Sequence, residues 1–329
     1  RVSTTWSGTL LHTNAINSYS LQRFLYLYIT LVIVTYLLTT TYGYLGEEGV
    51  YISSSLEMWY HKQYTQPLLY GTDYWRPPLL NWLIIPFSVL FGWEYALVVS
   101  RIINFLSTLA TAAVLYWFVK QLFENNKLFA LFSSAILLSG DLLFKRGWLA
   151  YSDSLFSFFV FAAIACVWVT LEKRKQTLFL VAAVCLICGF LTKATTIFAF
   201  YGIALCVLIW HHPNRHFLLT PLSFIAHLVV VLFYLYWNHF FLSDGGLGMW
   251  ADISRRFAAI EWIPYFIKKL DFQLHVLLRN IPLLPVALIL FFSKRFASNV
   301  PLKPPFTITS FIFLFNYLAY EIAPQVVFL

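Results

Sequence analysis

Two adjacent carboxylates, Glu47 and Glu48, directly follow an apolar stretch and open a segment with helical spacing of apolar residues, GEEGVYISSSLEMW. A helix of that pattern is expected to lie flat in a membrane interface, which places both carboxylates at the depth of lipid headgroups. A carboxylate there can accept the proton of an attacking hydroxyl group. Two negative charges also stabilise the N-terminus of a helix through the helix dipole, which explains the same residues equally well. A role as proton acceptor and a role in helix stabilisation therefore both remain open.

Arg76 is the first cation expected near these carboxylates. It stands immediately before Pro77 and Pro78, which fix the chain as it enters an apolar helix. The guanidinium group suits recognition of a phosphate, because its planar fork of N–H donors matches phosphate oxygens. An arginine that only extends its charge to the membrane surface is the alternative explanation.

Two more segments combine charges with apolar flanks. Lys145 and Arg146 lie between two apolar runs, and Asp153 stands at the start of the second run. Charges beside hydrocarbon are costly and indicate a functional site, with an ion pair among these residues as the alternative. Lys193 ends the sequence GFLTK at a turn between two short apolar segments, where it requires an anionic partner, either a lipid phosphate or a carboxylate.

The composition indicates which elements must hold these residues. Of 329 residues, 60% are hydrophobic and 11% are charged, whereas soluble domains carry about 25% charged residues. Apolar runs of about 17–25 residues recur, the length that crosses a bilayer as an α-helix. We therefore predict an all-α polytopic membrane protein in contact with membrane lipids. The net charge of +8 comes from short basic clusters between apolar runs, which indicates cytoplasmic loops rather than a nucleic-acid partner.

The apolar runs predict about nine transmembrane helices, at 22–44, 96–120, 127–144, 153–171, 177–192, 195–211, 217–241, 276–293 and 306–325. The run 79–93 is shorter and contains Pro86, and only if it does not cross do the short basic loops all face the cytoplasm. We therefore predict that it is an interfacial or re-entrant helix of the first outer loop. In this arrangement, the outer face receives loops 45–95 and 242–275 together with the charged residues described above.

Four segments, in order, resemble the motifs of one superfamily. They are GEEGVYISSSLEMW, YWRPPLLNWL, residues 144–155 and GFLTK, and the resemblance covers residues 22–211. The superfamily contains the protein O-mannosyltransferases and the lipid A aminoarabinose transferases, which use polyprenyl-phosphate sugars and have the GT-C fold. The resemblance implies an enzyme that transfers a sugar from a polyprenyl phosphate to an acceptor hydroxyl, with inversion at the anomeric carbon.

The resemblance also implies roles for individual residues. Glu47 matches the first carboxylate of the family's Asp-Glu pair, which is the proposed base, although the family has an aspartate there. Glu48 follows it as the second carboxylate, and Tyr51 is expected in the substrate pocket. Arg76 and Lys193 match the basic residues that are implied to contact the donor phosphate.

Three further matches are less complete. Asp153 matches an acidic residue at the start of a later span and is the rival candidate for the base. Arg146, with Lys145 beside it, lies farther from that acid than the family's arginine does. Trp75, expected in the substrate pocket, stands where the aminoarabinose branch has a metal-binding acid. The resemblance therefore implies no divalent metal, and no other cofactor is expected.

We expect one transmembrane glycosyltransferase domain over 1–329, with a motif-bearing module at 22–211 and further spans at 212–329. The chain begins at Arg1 rather than Met and ends in or just after an apolar run, which leaves open that it is a fragment. The expected location is the bacterial inner membrane, with the site on the periplasmic face of the cell envelope. The acceptor is left open among a lipid, a glycan and a protein. The alternative function, a transporter or lipid flippase, requires charges along a transmembrane path.

Overall fold

The computed structural model describes residues 6–74, 76–140, 147–241 and 304–322, together with several residues between 263 and 274. These parts of the chain are almost entirely helical. The α-helices are α1 (Trp6–Thr39), α2 (Glu48–His61), α3 (Leu79–Phe91), α4 (Ala96–Leu122), α5 (Lys127–Ser139), α6 (Ser152–Lys173), α7 (Leu178–Lys193), α8 (Thr196–His211), α9 (Pro221–Phe241) and α10 (Pro304–Ile322). Short 3-10 helices cover Trp93–Tyr95 and Arg215–Leu219.

Among the described residues, four helical segments are long and apolar enough to cross a membrane, and they lie in α1, α4, α6 and α9. Their presence confirms the predicted class, a helical polytopic membrane protein. Helices α3, α5, α7 and α8 are shorter, with 13–16 residues each, so the number of nine spans stays a prediction. The predicted span 276–293 lies outside the described residues.

Helix α6 is the centre of the bundle. Of its most apolar segment, 67% is buried, compared with 11% for the corresponding segment of α1. The small residues Ala162, Ala163 and Ala165 are buried on α6, and small residues let membrane helices approach closely. At Gly189 of α7, a Cβ atom would lie 2.0 Å from the Cδ1 atom of Ile197, so a side chain at this position would displace the end of Ile197 between α7 and α8. Helices α6 and α7 also carry two of the candidate site residues, Asp153 and Lys193.

The loop at 45–95, called the outer loop after the side predicted for it, contains a small hairpin that the sequence did not predict. Strands β1 (Leu68–Leu69) and β2 (Thr72–Asp73) pair antiparallel. Tyr70 and Gly71 form the turn, and both have positive φ angles, 55° and 74°. The carboxylate of Glu57 accepts hydrogen bonds from the backbone N–H groups of Tyr70 and Gly71, at 2.8 and 2.9 Å. A charged side chain from α2 therefore caps the hairpin.

Helices α2 and α3, which flank this hairpin in the sequence, pack against each other. The helix predicted after Glu47 is confirmed as α2. The amide of Asn81 on α3 donates to the Ser55 hydroxyl at 2.9 Å and to the backbone carbonyl of Tyr51 at 3.4 Å. With 13 residues, α3 is about 20 Å long, shorter than a hydrocarbon core of about 30 Å. Its predicted position on one side of the membrane stays a prediction.

Candidate active site

A buried ion pair between Glu48 and Arg101 holds the base of the outer loop, and both side chains are fully buried. The Arg101 Nη2 and Nε atoms donate to the Glu48 carboxylate at 2.6 and 2.9 Å. The backbone N–H groups of Leu45 and Ala150 also donate to it, each at 2.8 Å. Burial alone would raise the pKa of Glu48, but these hydrogen bonds and the charge of Arg101 lower it overall. Glu48 therefore stays ionised, with both oxygens engaged.

Arg101 connects three separate parts of the chain. Its Nη1 atom donates to the carbonyls of Thr40, at 3.1 Å, and of Tyr42, and its Nη2 atom donates to the carbonyl of Gly43 at 2.7 Å. The guanidinium carbon also lies 5.1 Å from the ring centre of Trp148. The end of α1, the start of α2 and the segment before α6 are thus joined through one side chain of α4.

Glu47 has different surroundings from its neighbour. It is the N-cap residue of α2 and is exposed, and its side chain does not cap the helix. Within the described part of the chain, its carboxylate accepts no hydrogen bond. Its backbone is fixed, however, because its N–H group donates to the Tyr151 hydroxyl at 2.9 Å. The backbone of Glu47 is therefore held in place, and its carboxylate is open to an incoming group.

Arg76 lies within electrostatic range of Glu47, Tyr51 and Tyr74. Its guanidinium carbon is 5.9 Å from the ring centre of Tyr74. The Arg76 side chain is partly desolvated, which alone would lower its pKa, although the residue reaches solvent. The interactions with Tyr51, Tyr74 and Glu47 outweigh this effect and raise the pKa overall. The outer loop thus brings together an open carboxylate, a permanent cation and two phenol side chains.

Asp153 and Lys193 form an ion pair at the ends of α6 and α7. The anionic partner that Lys193 required is thus a carboxylate in this structure. The Lys193 ammonium group also lies 5.7 Å from the ring centre of Phe156. Ser152, next to Asp153, lies 3.2 Å from the Tyr51 hydroxyl. These contacts connect the ion pair with the outer loop through α6.

Three predicted site residues, Trp75, Lys145 and Arg146, lie outside the described residues. The residues that the structure describes contain no group of three His, Cys, Asp or Glu side chains that could hold a metal ion, and the expectation of no metal stays a prediction. Conversely, Arg101 and Tyr151 contact the candidate site but were not predicted. For Arg101, the available signal was a charge near the start of an apolar run.

Sequence comparison gives a match to one family model and one to a curated protein. A family model described as dolichyl-phosphate-mannose-protein mannosyltransferase matches residues 75–237, which include Arg76, Asp153 and Lys193. The undecaprenyl phosphate-alpha-4-amino-4-deoxy-L-arabinose arabinosyl transferase of Wigglesworthia glossinidia brevipalpis is 28% identical over 171 residues. This alignment covers 50% of the chain and 30% of that relative.

Two solved structures have the same fold. ArnT from Cupriavidus metallidurans in the apo state matches with a TM-score of 0.67 and 16% identity, over 92% of this chain and 55% of that one. ArnT from the same organism, bound to undecaprenyl phosphate, matches with a TM-score of 0.68 and 15% identity, over 91% of this chain and 56% of that one. The chain thus spans about half the length of these solved relatives.

Proposed function

We propose that this chain is a polyprenyl-phosphate-sugar-dependent glycosyltransferase, which transfers a sugar from a polyprenyl phosphate to an acceptor hydroxyl. The matches to the mannosyltransferase family model and to the arabinosyl transferase support this proposal. The reaction takes place on the outer face of the bacterial inner membrane. The observation that carries the proposal is that an open carboxylate, Glu47, lies within electrostatic range of a permanent cation, Arg76, on one loop. The solved relative bound to undecaprenyl phosphate supports a lipid phosphate as the ligand of this fold.

Glu47 acts as the general base in this proposal. Its carboxylate is exposed and accepts no hydrogen bond among the described residues, so it can accept the proton of an acceptor hydroxyl. Glu48 is a poor base by comparison, because four hydrogen bonds stabilise its charged form. The two adjacent carboxylates therefore have separate roles: Glu47 in proton transfer and Glu48 in holding the loop.

The cations stabilise the leaving group. As the acceptor oxygen bonds to the anomeric carbon, the bond from that carbon to the phosphate oxygen breaks, and negative charge develops on the departing polyprenyl phosphate. Arg76 and Lys193 stabilise this charge, since fixed donors are most effective where charge appears in the transition state. Direct displacement of this kind inverts the anomeric configuration.

The test uses purified protein in liposomes with labelled polyprenyl-phosphate sugars and, as separate acceptors, a lipid, a glycan and a peptide. We expect labelled product and free polyprenyl phosphate. Glu47→Gln should lower turnover by about 10²–10⁴-fold while it still binds undecaprenyl phosphate. Glu94→Gln, which changes another exposed carboxylate of the same loop, is the matched control and should remain active.

Two results would contradict this proposal. Movement of intact donor across the bilayer without sugar transfer would favour the flippase alternative. Normal turnover of Glu47→Gln, together with a folded but inactive Asp153→Asn, would assign the base to Asp153.

A further inference from the structure

The hydroxyl group of Tyr151 bridges the backbone on both sides of Gly46. It accepts a hydrogen bond from the N–H group of Glu47 at 2.9 Å and donates one to the carbonyl of Leu45 at 3.2 Å. Tyr151 is also the N-cap residue of α6, two positions before Asp153. One hydroxyl group therefore ties the backbone of the candidate base to the helix that carries the rival carboxylate in its first turn.

Gly46 leaves room for this hydroxyl group because it has no side chain. Its φ angle is +60°, in the left-handed region. A Cβ atom at position 46 would lie 2.2 Å from the Tyr151 hydroxyl oxygen but 3.6 Å from the ring atom Cζ. The hydroxyl oxygen thus occupies the space that any side chain at position 46 would need.

The Tyr151 ring is itself held in place. It packs edge-to-face against the ring of Tyr51, with 6.3 Å between ring centres. Its backbone N–H group donates to the carbonyl of Leu149 at 2.7 Å. None of these contacts involves the Arg101 guanidinium group. Because the N–H groups of Leu45 and Ala150 also donate to Glu48, the Tyr151 bridge adds a second constraint on the segment that the buried ion pair already holds.

We infer that Tyr151 is a positioning residue for Glu47, an inference that rests on the proposed function. The bridge fixes the backbone from Leu45 to Glu47, and with it the place of the Glu47 carboxylate relative to the Asp153–Lys193 pair. Transfer requires the base to lie within hydrogen-bond reach of the acceptor hydroxyl. A displacement of about 1 Å can lower a rate by about 10²-fold, so a single hydroxyl bridge is enough to control turnover.

The first test is Tyr151→Phe, which removes only the hydroxyl group. We expect kcat to fall by about 10–100-fold, while the KM for the polyprenyl-phosphate sugar stays within about twofold of the wild-type value. The control is Tyr60→Phe, an exposed tyrosine of the same outer loop, which should keep wild-type kcat and KM. A raised KM with unchanged kcat, or wild-type values for both, would overturn the positioning role.

The second test measures thermal unfolding and needs no substrate. Gly46→Ala should lower Tm strongly in the wild-type background, because its Cβ meets the hydroxyl oxygen. In the Tyr151→Phe background, the nearest atom is Cζ at 3.6 Å, so the same change should lower Tm less and leave only the cost of the positive φ angle. Equal losses of Tm in the two backgrounds would overturn the contact on which the inference depends.

The two tests also separate this inference from the proposed function. If the wild-type protein transfers sugar and Tyr151→Phe transfers it equally well, only the positioning role is overturned. If the wild-type protein transfers no sugar from any polyprenyl donor, the proposed function fails, and the positioning role fails with it whatever the unfolding data show.

Discussion

Replacement of Glu48 by glutamine should destabilise the protein far more than the same change at Glu47. Glutamine keeps the shape of the side chain but removes its charge, and its amide NH₂ group then faces N–H donors. Arg101, which is fully buried, would be left without a counter-ion. Breaking a buried ion pair by removing one partner costs about 3–5 kcal/mol, a large part of a typical unfolding free energy of about 5–15 kcal/mol.

The matched change at Glu47 provides the control. Its side chain is exposed and accepts no hydrogen bond among the described residues, so Glu47→Gln should alter the unfolding free energy by less than about 0.5 kcal/mol. Denaturant unfolding of both variants in the same detergent measures this difference, and a turnover assay at low temperature measures activity of the folded fraction. We expect opposite profiles: a stable but inactive Glu47→Gln, and an unstable Glu48→Gln. Equal stability of the two variants would refute the role of the buried charge.

Two further predictions concern the charged groups of the outer loop. Because the folded protein lowers the pKa of Glu48 below its ordinary value of 4.5, its contribution to stability is complete above that value and is lost as the pH falls through the lowered pKa. The difference in unfolding free energy between the wild type and Glu48→Gln should therefore shrink on acidification below pH 4.5; a difference that grows would contradict the sign of the shift. Arg76→Ala should weaken binding of undecaprenyl phosphate by about 10–100-fold, from about 1.5–3 kcal/mol for a charged hydrogen bond, and Arg76→Lys should restore it only partly because lysine lacks the planar fork. Titration of each variant with undecaprenyl phosphate measures this, and unchanged affinity of the alanine variant would reject the assignment.

The sequence predicted the class of fold because that class depends on composition alone. Apolar runs long enough to cross a bilayer restrict the chain to helices, whatever their packing. The different environments of Glu47 and Glu48, in contrast, depend on where α2 begins and on Arg101, which is 53 positions away from Glu48. Two identical adjacent side chains carry no local signal that separates them. The structure separates them by burying one and exposing the other.

The partner of Lys193 illustrates the same limit. The sequence required an anion beside this lysine, because an ammonium group near hydrocarbon is costly without one. It did not identify Asp153, 40 positions earlier, because that contact depends on how α6 and α7 pack. The hairpin was missed for a different reason: each of its strands has only two residues, too few to show an alternating pattern.

The Asp153–Lys193 pair has a consequence for turnover. In the proposed reaction cycle, the donor phosphate competes with the Asp153 carboxylate for Lys193. The two side chains are 56% and 27% exposed, and a solvent-accessible pair contributes only about 0–1 kcal/mol, so this competition weakens donor binding slightly. When the spent lipid carrier leaves, Asp153 takes its place, and the lysine does not pass through a state without a counter-ion. In the proposed cycle, the pair therefore gives Lys193 a counter-ion between turnovers at little cost to donor binding.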